Sequence, residues 1–448
     1  MSMGSVSRVS VFGLGKLGAT MVGCFADAGF DVVGVDVNAD SVNQVTAGTA
    51  PVPEPGLQEI YDRNGERISA TTDGHKAVLE SQASFIIVPT PSTRDGEFFT
   101  SIAVKVADTI GSALREKQDY HLVVLTSTVL PGATERDIKP VLEEASSRAC
   151  GRDFGLCYSP EFIAIGDVIR GLVSPDFFLV GEYDERSGDI LSDIYRAEGG
   201  QDVEIARMAI VNAELTKIAV NTFVTSKISF ANTLSRICGR LPGGDAHAVA
   251  AAVGLDKRIG GKYLTPGATF GGPCFPRDNR AFEWFARSVG EDAPLARATD
   301  EVNRRQIDFL VATILSVADD PATIGILGLS YKPRTNLMEE AQGAAIARRL
   351  LGRGFNVVAY DPWVDRFGMT EKVDGLDLVE SIGECVGRSD IVVLATAHDE
   401  FTELSVEDFT VEGRGVPLVD TWGLLRDRFV DREGYTVPGI ARGDEEGC

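Results

Sequence analysis

The chain has 448 residues, 44% of them hydrophobic, and a formal net charge of −23 from 66 acidic and 43 basic side chains. That length exceeds one hydrophobic core and predicts two or three domains, while so acidic a surface argues against nucleic-acid and membrane partners, which need basic patches to meet phosphate. Seven scattered cysteines without a CxxC pair, four unclustered histidines and the lack of an 18-residue apolar run argue against a disulfide framework, a metal site and a spanning helix.

The opening residues, MSMGSVSRVSVFG, enter strand-like sequence at once and leave no room for a signal peptide, so a cytoplasmic protein is expected. Residues 6–38 read as strand, glycine-rich turn, Ala-rich helix ending at Gly29, and second strand, which is one βαβ unit. Further strands are expected at 84–89, 121–127 and 155–158, separated by helical stretches such as 101–117. Their continuous apolar runs predict a parallel, doubly wound α/β sheet. From about residue 204 a glycine-free and proline-free stretch runs to Gly239. It predicts one long central helix, apolar around most of its circumference and buried in part by a second copy of the chain. A second α/β pattern follows, with strands at 323–333, 356–362 and 390–398 and a helix at 341–351. The expected domains are 1–203, 204–305 and 306–448, and the polar tail after Tyr435 is expected to fray.

Gly13, Leu14, Gly15, Lys16, Leu17 and Gly18 form GLGKLG after a strand and at the head of a helix, and Asp36 closes the next strand. The glycines allow a tight turn, close approach of a pyrophosphate and helix packing, and the carboxylate suits ribose hydroxyls. A carboxylate there repels a 2′-phosphate, so NAD is expected rather than NADP. The loops VPTPST (88–93), with Thr90 and Pro91, and TSTVLPG (126–132), with Thr128, follow strands where ligands of open sheets collect; the first is expected to lie along the cofactor, and Thr128 to reach cofactor, substrate or water. Each reads equally as a proline-bearing turn with a capping hydroxyl. Glu161, in YSPEF, reads either as a site carboxylate or as a helix N-terminal one.

Glu214, Lys217, Asn221 and Thr225 share one face of the long helix. A buried lysine is costly without a partner, so Lys217 either pairs with Glu214 or stabilises negative charge developing on a reacting oxygen. In GGPCFPRD (271–278), two glycines let the backbone pass close to a ligand and two prolines stiffen the loop. Asp278 is placed to hold water or act as base. Beside an NAD site, a positioned Cys274 thiol suits attack on an aldehyde, giving a thiohemiacetal and then a thioester. Its bland alternative is a small buried hydrophobe.

In order along the chain, GLGKLG, VPEPGL (52–57), VPTP, STV, SPEF, ELTKIAVNTF (214–223), RIGGKYLTPGATFGGPCFPRD (258–278) and LSYKP (329–333) resemble the nucleotide-sugar 6-dehydrogenases, the UDP-glucose and GDP-mannose 6-dehydrogenase family. The resemblance implies two Rossmann-like domains joined by a long helix, a homodimer through the central helices, and oxidation of a sugar C6 alcohol to a carboxylate with two NAD per turnover. By position, Cys274 resembles the family nucleophile, Asp278 its hydrolytic partner, and Lys217 with Asn221 the oxyanion-stabilising pair. Thr128 and Glu161 resemble residues that handle the substrate alcohol and water. Arg258 resembles an arginine that reaches the sugar across the dimer, and Phe162, Tyr263, Phe270, Gly271, Tyr331 and Lys332 match substrate-pocket positions. The chain departs from the family pattern at Pro273 and Arg277 around the nucleophile, at Ile165 after SPEF, and at Glu339 and Trp422, where relatives often carry arginine.

The expected activity is four-electron oxidation of a nucleoside-diphosphate sugar, UDP-glucose to UDP-glucuronate in the leading reading. The same chemistry on dTDP-glucose, an N-acetylhexosamine nucleotide or GDP-mannose is the alternative. Two further alternatives are a two-electron 3-hydroxyacid-type dehydrogenase, which needs no cysteine, and a nucleotide-binding dimer without turnover.

Overall fold

Apolar strands that cannot face water on either side form the centres of two sheets. The computed structural model describes residues 6–163, 166–200, 202–317, 323–429 and 432–440. By density of contacts the chain divides into Met1–Ala219 and Val220–Cys448.

The first unit contains β1 (Arg8–Phe12), β2 (Asp31–Val35), β3 (Ile68–Thr71), β4 (Ala83–Ile86), β5 (Leu122–Leu125), β6 (Gly155–Tyr158), β7 (Phe178–Glu182) and β8 (Ile205–Ala209). They form one sheet in the order β3-β2-β1-β4-β5-β6-β7-β8. Every pairing is parallel except β6 with β7, so the all-parallel expectation fails at one place. Val9, Val11, Met21 and Phe25 belong to a core on one side of the sheet, and Phe12, Ile86, Leu125 and Leu142 to a second core. Alternate residues of a strand therefore serve opposite layers, which is why these strands read as unbroken apolar runs. A polar chain also lies inside: Ser10 Oγ sits 2.7 Å from Ser84 Oγ, which sits 2.8 Å from His121 Nε2.

The long helix spans Ile210–Cys238, so it starts later than its composition suggested. Residues 205–209 are a strand instead, because parallel pairing with β7 supplies ladder hydrogen bonds that a frayed helical turn would lack.

The second unit contains β9 (Thr323–Leu327), β10 (Asn356–Tyr360), β11 (Asp377–Leu378), β12 (Ile391–Leu394), a hairpin of β13 (Thr410–Val411) and β14 (Arg414–Gly415), then β15 (Leu418–Asp420) and β16 (Tyr435–Thr436). Its sheet runs β11-β10-β9-β12-β15-β16. The likeness to the first unit, slight in sequence, is plain in the backbone. Gly13 and Gly328 both have positive φ, +108° and +99°. A Cβ on Gly18 would lie 1.9 Å from the Gly13 carbonyl oxygen, and one on Gly343 would lie 2.0 Å from that of Gly328. Fourteen residues separate Gly328 from Gly343, against four between Gly13 and Gly18, and this longer spacing hides the glycine pair from a motif search. The tail does not fray through Ile440: β16 pairs with β15, and the Tyr435 hydroxyl donates to Asp420 at 2.9 Å. Residues beyond Ile440, with Cys448 among them, and Ile165 lie outside the described residues.

Candidate active site

In the first unit the glycine turn joins β1 to the helix Lys16–Asp27 at the point where β1 lies between β2 and β4. The three glycines have separable reasons. A Cβ on Gly13 would sit 2.3 Å from the Ile87 carbonyl oxygen, and Gly18 packs on Gly13, whereas a Cβ on Gly15 would meet nothing within 4 Å. The open side at Gly15 is room for a ligand backbone. Asp36 receives the Leu14 N–H at 2.6 Å and the Asn38 N–H at 2.8 Å, which fixes its carboxylate at the end of β2. A cavity of about 660 Å³ is bounded by Gly13, Gly15, Lys16, Leu17, Gly18, Asp36, Val88 and Pro89. Its wall also includes Thr72, Ile102, Lys105 and Thr109, which local motifs do not single out because they come from other elements. The Leu14 side chain is core, buried against Gly34, and contributes only its N–H. Burial lowers the Lys16 ammonium pKa, with the Glu54 carboxylate opposing. Glycine cradle, carboxylate and volume fit a dinucleotide.

The loop after β4 is tied to the loop after β5. Ser127 Oγ accepts the Val88 N–H at 2.9 Å and donates to the Val88 carbonyl at 2.7 Å. Thr90 is buried, and its hydroxyl donates to the Thr128 carbonyl at 2.6 Å, so this predicted cofactor residue spends its hydroxyl on the loop. Pro91 is exposed, and its carbonyl accepts the Phe99 N–H.

Each member of the polar stripe on the long helix has a partner. Glu214 accepts from Gly132 and Thr134 rather than from Lys217. Lys217 Nζ donates to the Glu161 carbonyl oxygen at 2.6 Å and lies 4.7 Å over the Phe162 ring. Asn221 donates to Asp278 at 2.6 Å. Thr225 donates to the Thr222 carbonyl at 2.8 Å. Glu161 lies in coil, not at a helix start, and burial raises its carboxyl pKa to about 7 against the opposing pull of Lys217. The loop's far end is held by Glu54 of VPEPGL, a buried carboxylate that receives the Val168 N–H at 2.7 Å and the Gly166 N–H at 3.1 Å. A carboxylate between two prolines was the sequence signal for it.

In the second unit Cys274 is the N-cap of the helix Phe275–Ser288 and is exposed, whereas Cys24, Cys150, Cys157, Cys238 and Cys385 are buried. The Cys274 thiol stands at the positive end of the helix dipole, open to a ligand. Both preceding glycines are required by space. A Cβ on Gly271 would lie 2.2 Å from the Glu340 carbonyl oxygen, and one on Gly272, at φ +81°, would lie 2.5 Å from the Tyr331 ring. The Gly272 N–H donates to the Glu339 carbonyl at 3.0 Å, so Glu339 meets the Cys274 loop through its backbone. Asp278 is buried, with Asn221 on one oxygen and Arg277 Nε and Nη2, each at 3.2 Å, on the other.

The predicted substrate residues divide. Phe270 is buried and bonded through its backbone to the Asn303 amide at 3.0 and 2.9 Å, and Lys332 Nζ lies 5.9 Å over the Tyr331 ring. Tyr263 is exposed at φ +62°, its ring edge-on to Phe275. Arg258 is exposed and paired with Asp256, Nη2 to Oδ2 2.5 Å. Trp422 donates from Nε1 to the Ala395 carbonyl at 2.9 Å, with its ring against Gly267.

Comparison with known proteins agrees with this arrangement. Residues 7–198 match the NAD binding domain of the UDP-glucose/GDP-mannose dehydrogenase family, residues 211–305 its central domain, and residues 325–427 its UDP binding domain. UDP-glucose 6-dehydrogenase AglM of Haloferax volcanii is 36% identical over 404 residues, 89% of this chain and 93% of that protein. GDP-mannose 6-dehydrogenase of Pseudomonas aeruginosa is 33% identical over 432 residues, 93% and 97% of the two chains. The solved structure of a UDP-glucose dehydrogenase from the archaeon Pyrobaculum islandicum superposes with a TM-score of 0.87 at 33% identity, covering 99% of this chain and all of that one. Among the described residues no helix is long and apolar enough to cross a membrane. With a glycine cradle for NAD in its first unit and a UDP binding domain in its second, the chain belongs to the UDP-glucose/GDP-mannose dehydrogenase family, the NAD-dependent nucleotide-sugar 6-dehydrogenases.

Proposed function

We propose that this enzyme oxidises the C6 alcohol of UDP-glucose to the carboxylate of UDP-glucuronate in two hydride-transfer steps, with Cys274 as covalent nucleophile. The observation that carries the reading is Cys274, exposed at a helix N-terminus and set on a loop whose two glycines are demanded by close contacts. The UDP binding domain match and 36% identity to a UDP-glucose 6-dehydrogenase support the nucleotide and sugar.

NAD supplies the hydride acceptor for both steps. Gly15 would leave room for its pyrophosphate in a turn that Gly13 and Gly18 shape by close packing, and Asp36 would hold its ribose hydroxyls. In the first step the alcohol loses a hydride from C6 and a proton from oxygen. Thr128 orients that hydroxyl and Glu161, poised near neutrality, takes the proton at its carboxylate. The Cys274 thiol then adds to the aldehyde, and Lys217 and Asn221, four residues apart on one helix, stabilise charge on the sugar oxygen. Loss of the second hydride leaves a thioester. Water held by Asp278 and Glu161 cleaves it, returning the thiol and releasing the carboxylate. Arg258, Tyr263, Phe270, Gly271, Tyr331 and Lys332 hold the nucleotide sugar.

Residues 1–203 form the NAD region, 204–305 the region of the nucleophile loop, and 306–448 the nucleotide-sugar region. The enzyme acts in the cytoplasm as a homodimer. Phe223, Phe230 and Ile237 support this, being 69%, 52% and 51% exposed at seven-residue spacing, which makes one apolar stripe on the long helix.

The test is stoichiometry. Two NADH per UDP-glucose, with Cys274→Ser stalled after the first, is the expected result. One NADH with release of an aldehyde, or full activity of Cys274→Ala, overturns it. Running GDP-mannose and UDP-N-acetylhexosamines in parallel assigns the sugar.

A further inference from the structure

We propose that Glu214 is a positioning residue for the reaction, holding the Thr128 loop in register with Lys217. The proposal rests on the role assigned to Thr128 above. Glu214 is fully buried in the first turns of the long helix, and its carboxylate accepts three hydrogen bonds from one short segment. The Gly132 N–H reaches Oε2 at 2.5 Å, and the Thr134 N–H and hydroxyl reach Oε1 at 2.8 and 2.6 Å. That segment ends the TSTVLPG loop. The loop's beginning is fastened separately, by Ser127 on Val88 and by the Thr90 hydroxyl on the Thr128 carbonyl. Thr128 is therefore clamped from both sides, and Glu214 is the clamp on the far side.

The placement of this carboxylate argues for more than stability. The N–H groups at 132 and 134 open a helical segment, Thr134–Ile138, and a local Ser, Thr or Asp could have capped it. Here the cap comes from the helix that carries Lys217, one turn further on, and Lys217 in turn grips the Glu161 carbonyl at 2.6 Å. One helical turn thus sets the spacing between the loop of Thr128 and the loop of Glu161. Displacing either loop by about 1 Å is enough to cost on the order of a hundredfold in rate when reacting groups must be aligned.

The variants are Glu214→Gln, which keeps one acceptor oxygen and turns an amide NH₂ toward a donor, and Thr134→Val, which removes one hydroxyl without changing shape. Both are measured in the full-length enzyme with saturating UDP-glucose and varied NAD. The expected result is a kcat lower by about tenfold or more in Glu214→Gln, equivalent to about 1.4 kcal/mol. A smaller loss is expected in Thr134→Val, with KM for NAD within about twofold of wild type and kcat restored by Thr134→Ser. A lower unfolding midpoint with wild-type kcat in both overturns the proposal, since that is what a purely structural cap gives. Should Glu214→Gln fail to fold, the Thr134 pair decides alone. Thr128→Val separates the two failures: wild-type kcat there removes Thr128 from the reaction and the proposal with it. An impaired Thr128→Val beside unimpaired Glu214→Gln and Thr134→Val removes only Glu214.

Discussion

Asn221 donates a hydrogen bond of 2.6 Å to Asp278, and both residues are buried. The bond ties the long helix to the first turn of the helix that starts at Cys274, so the candidate nucleophile inherits its orientation from a residue more than fifty positions away. Asn221→Ala leaves a buried carboxylate oxygen without a donor and is expected to destabilise the fold by about 1–3 kcal/mol. Asn221→Asp, which sets two carboxylates against each other, is expected to cost more. Urea unfolding of the two variants checks the order, and a smaller loss in Asn221→Asp contradicts it.

Gly272 has φ +81° and no space for a Cβ above the Tyr331 ring. Gly272→Ala therefore faces a left-handed backbone penalty of about 1–2 kcal/mol as well as displacement of the ring. The loop is expected to shift and slow both turnover and alkylation of Cys274, read by iodoacetamide labelling and peptide mass spectrometry. Wild-type labelling and an unchanged Tm would show that the close approach constrains nothing.

Two buried titratable groups give opposite pH dependence. Burial raises Glu161 to about 7, above its unfolded value of 4.5. The folded state binds the extra proton between those values, so this stabilising term is present below pH 4.5 and lost as pH rises through 7. Burial, with Lys117 adding, lowers His121 from 6.5 to about 3. There the unfolded state binds the proton first, so stability is lost as pH falls from 6.5 toward 3. If Glu161 takes the substrate proton, kcat/KM falls below about pH 7, and Glu161→Gln removes that limb. Persistence of the limb in Glu161→Gln assigns it to another group.

Asp36 stands at the end of β2, with Val37 beside it almost fully exposed and no arginine following. NAD is expected to give the lower KM. Asp36→Ala is expected to raise KM for NAD by about tenfold, since a charged hydrogen bond is worth roughly 1.5–3 kcal/mol, and to narrow the preference over NADP. Steady-state kinetics with both cofactors decides it. An unchanged preference moves the discrimination elsewhere.

The sequence by itself determined the features that local chemistry fixes: the glycine turn with Asp36, the apolar strands, the long helix, and Cys274 between stiffening prolines. These need only neighbours a few residues apart, and their order along the chain is specific to one enzyme family. Tertiary structure decided what depends on residues far apart in sequence. Residues 205–209 became a strand because β7 offered a ladder, Glu214 turned to Gly132 and Thr134 rather than to Lys217, and Thr90 gave its hydroxyl to Thr128. The matching glycine pair of the second sheet, Gly328 and Gly343, was invisible because spacing, not geometry, is what a motif records. Periodicity reports which face of an element is buried, but a buried polar group takes whichever donor the packing brings within 3 Å, and only the folded chain specifies that.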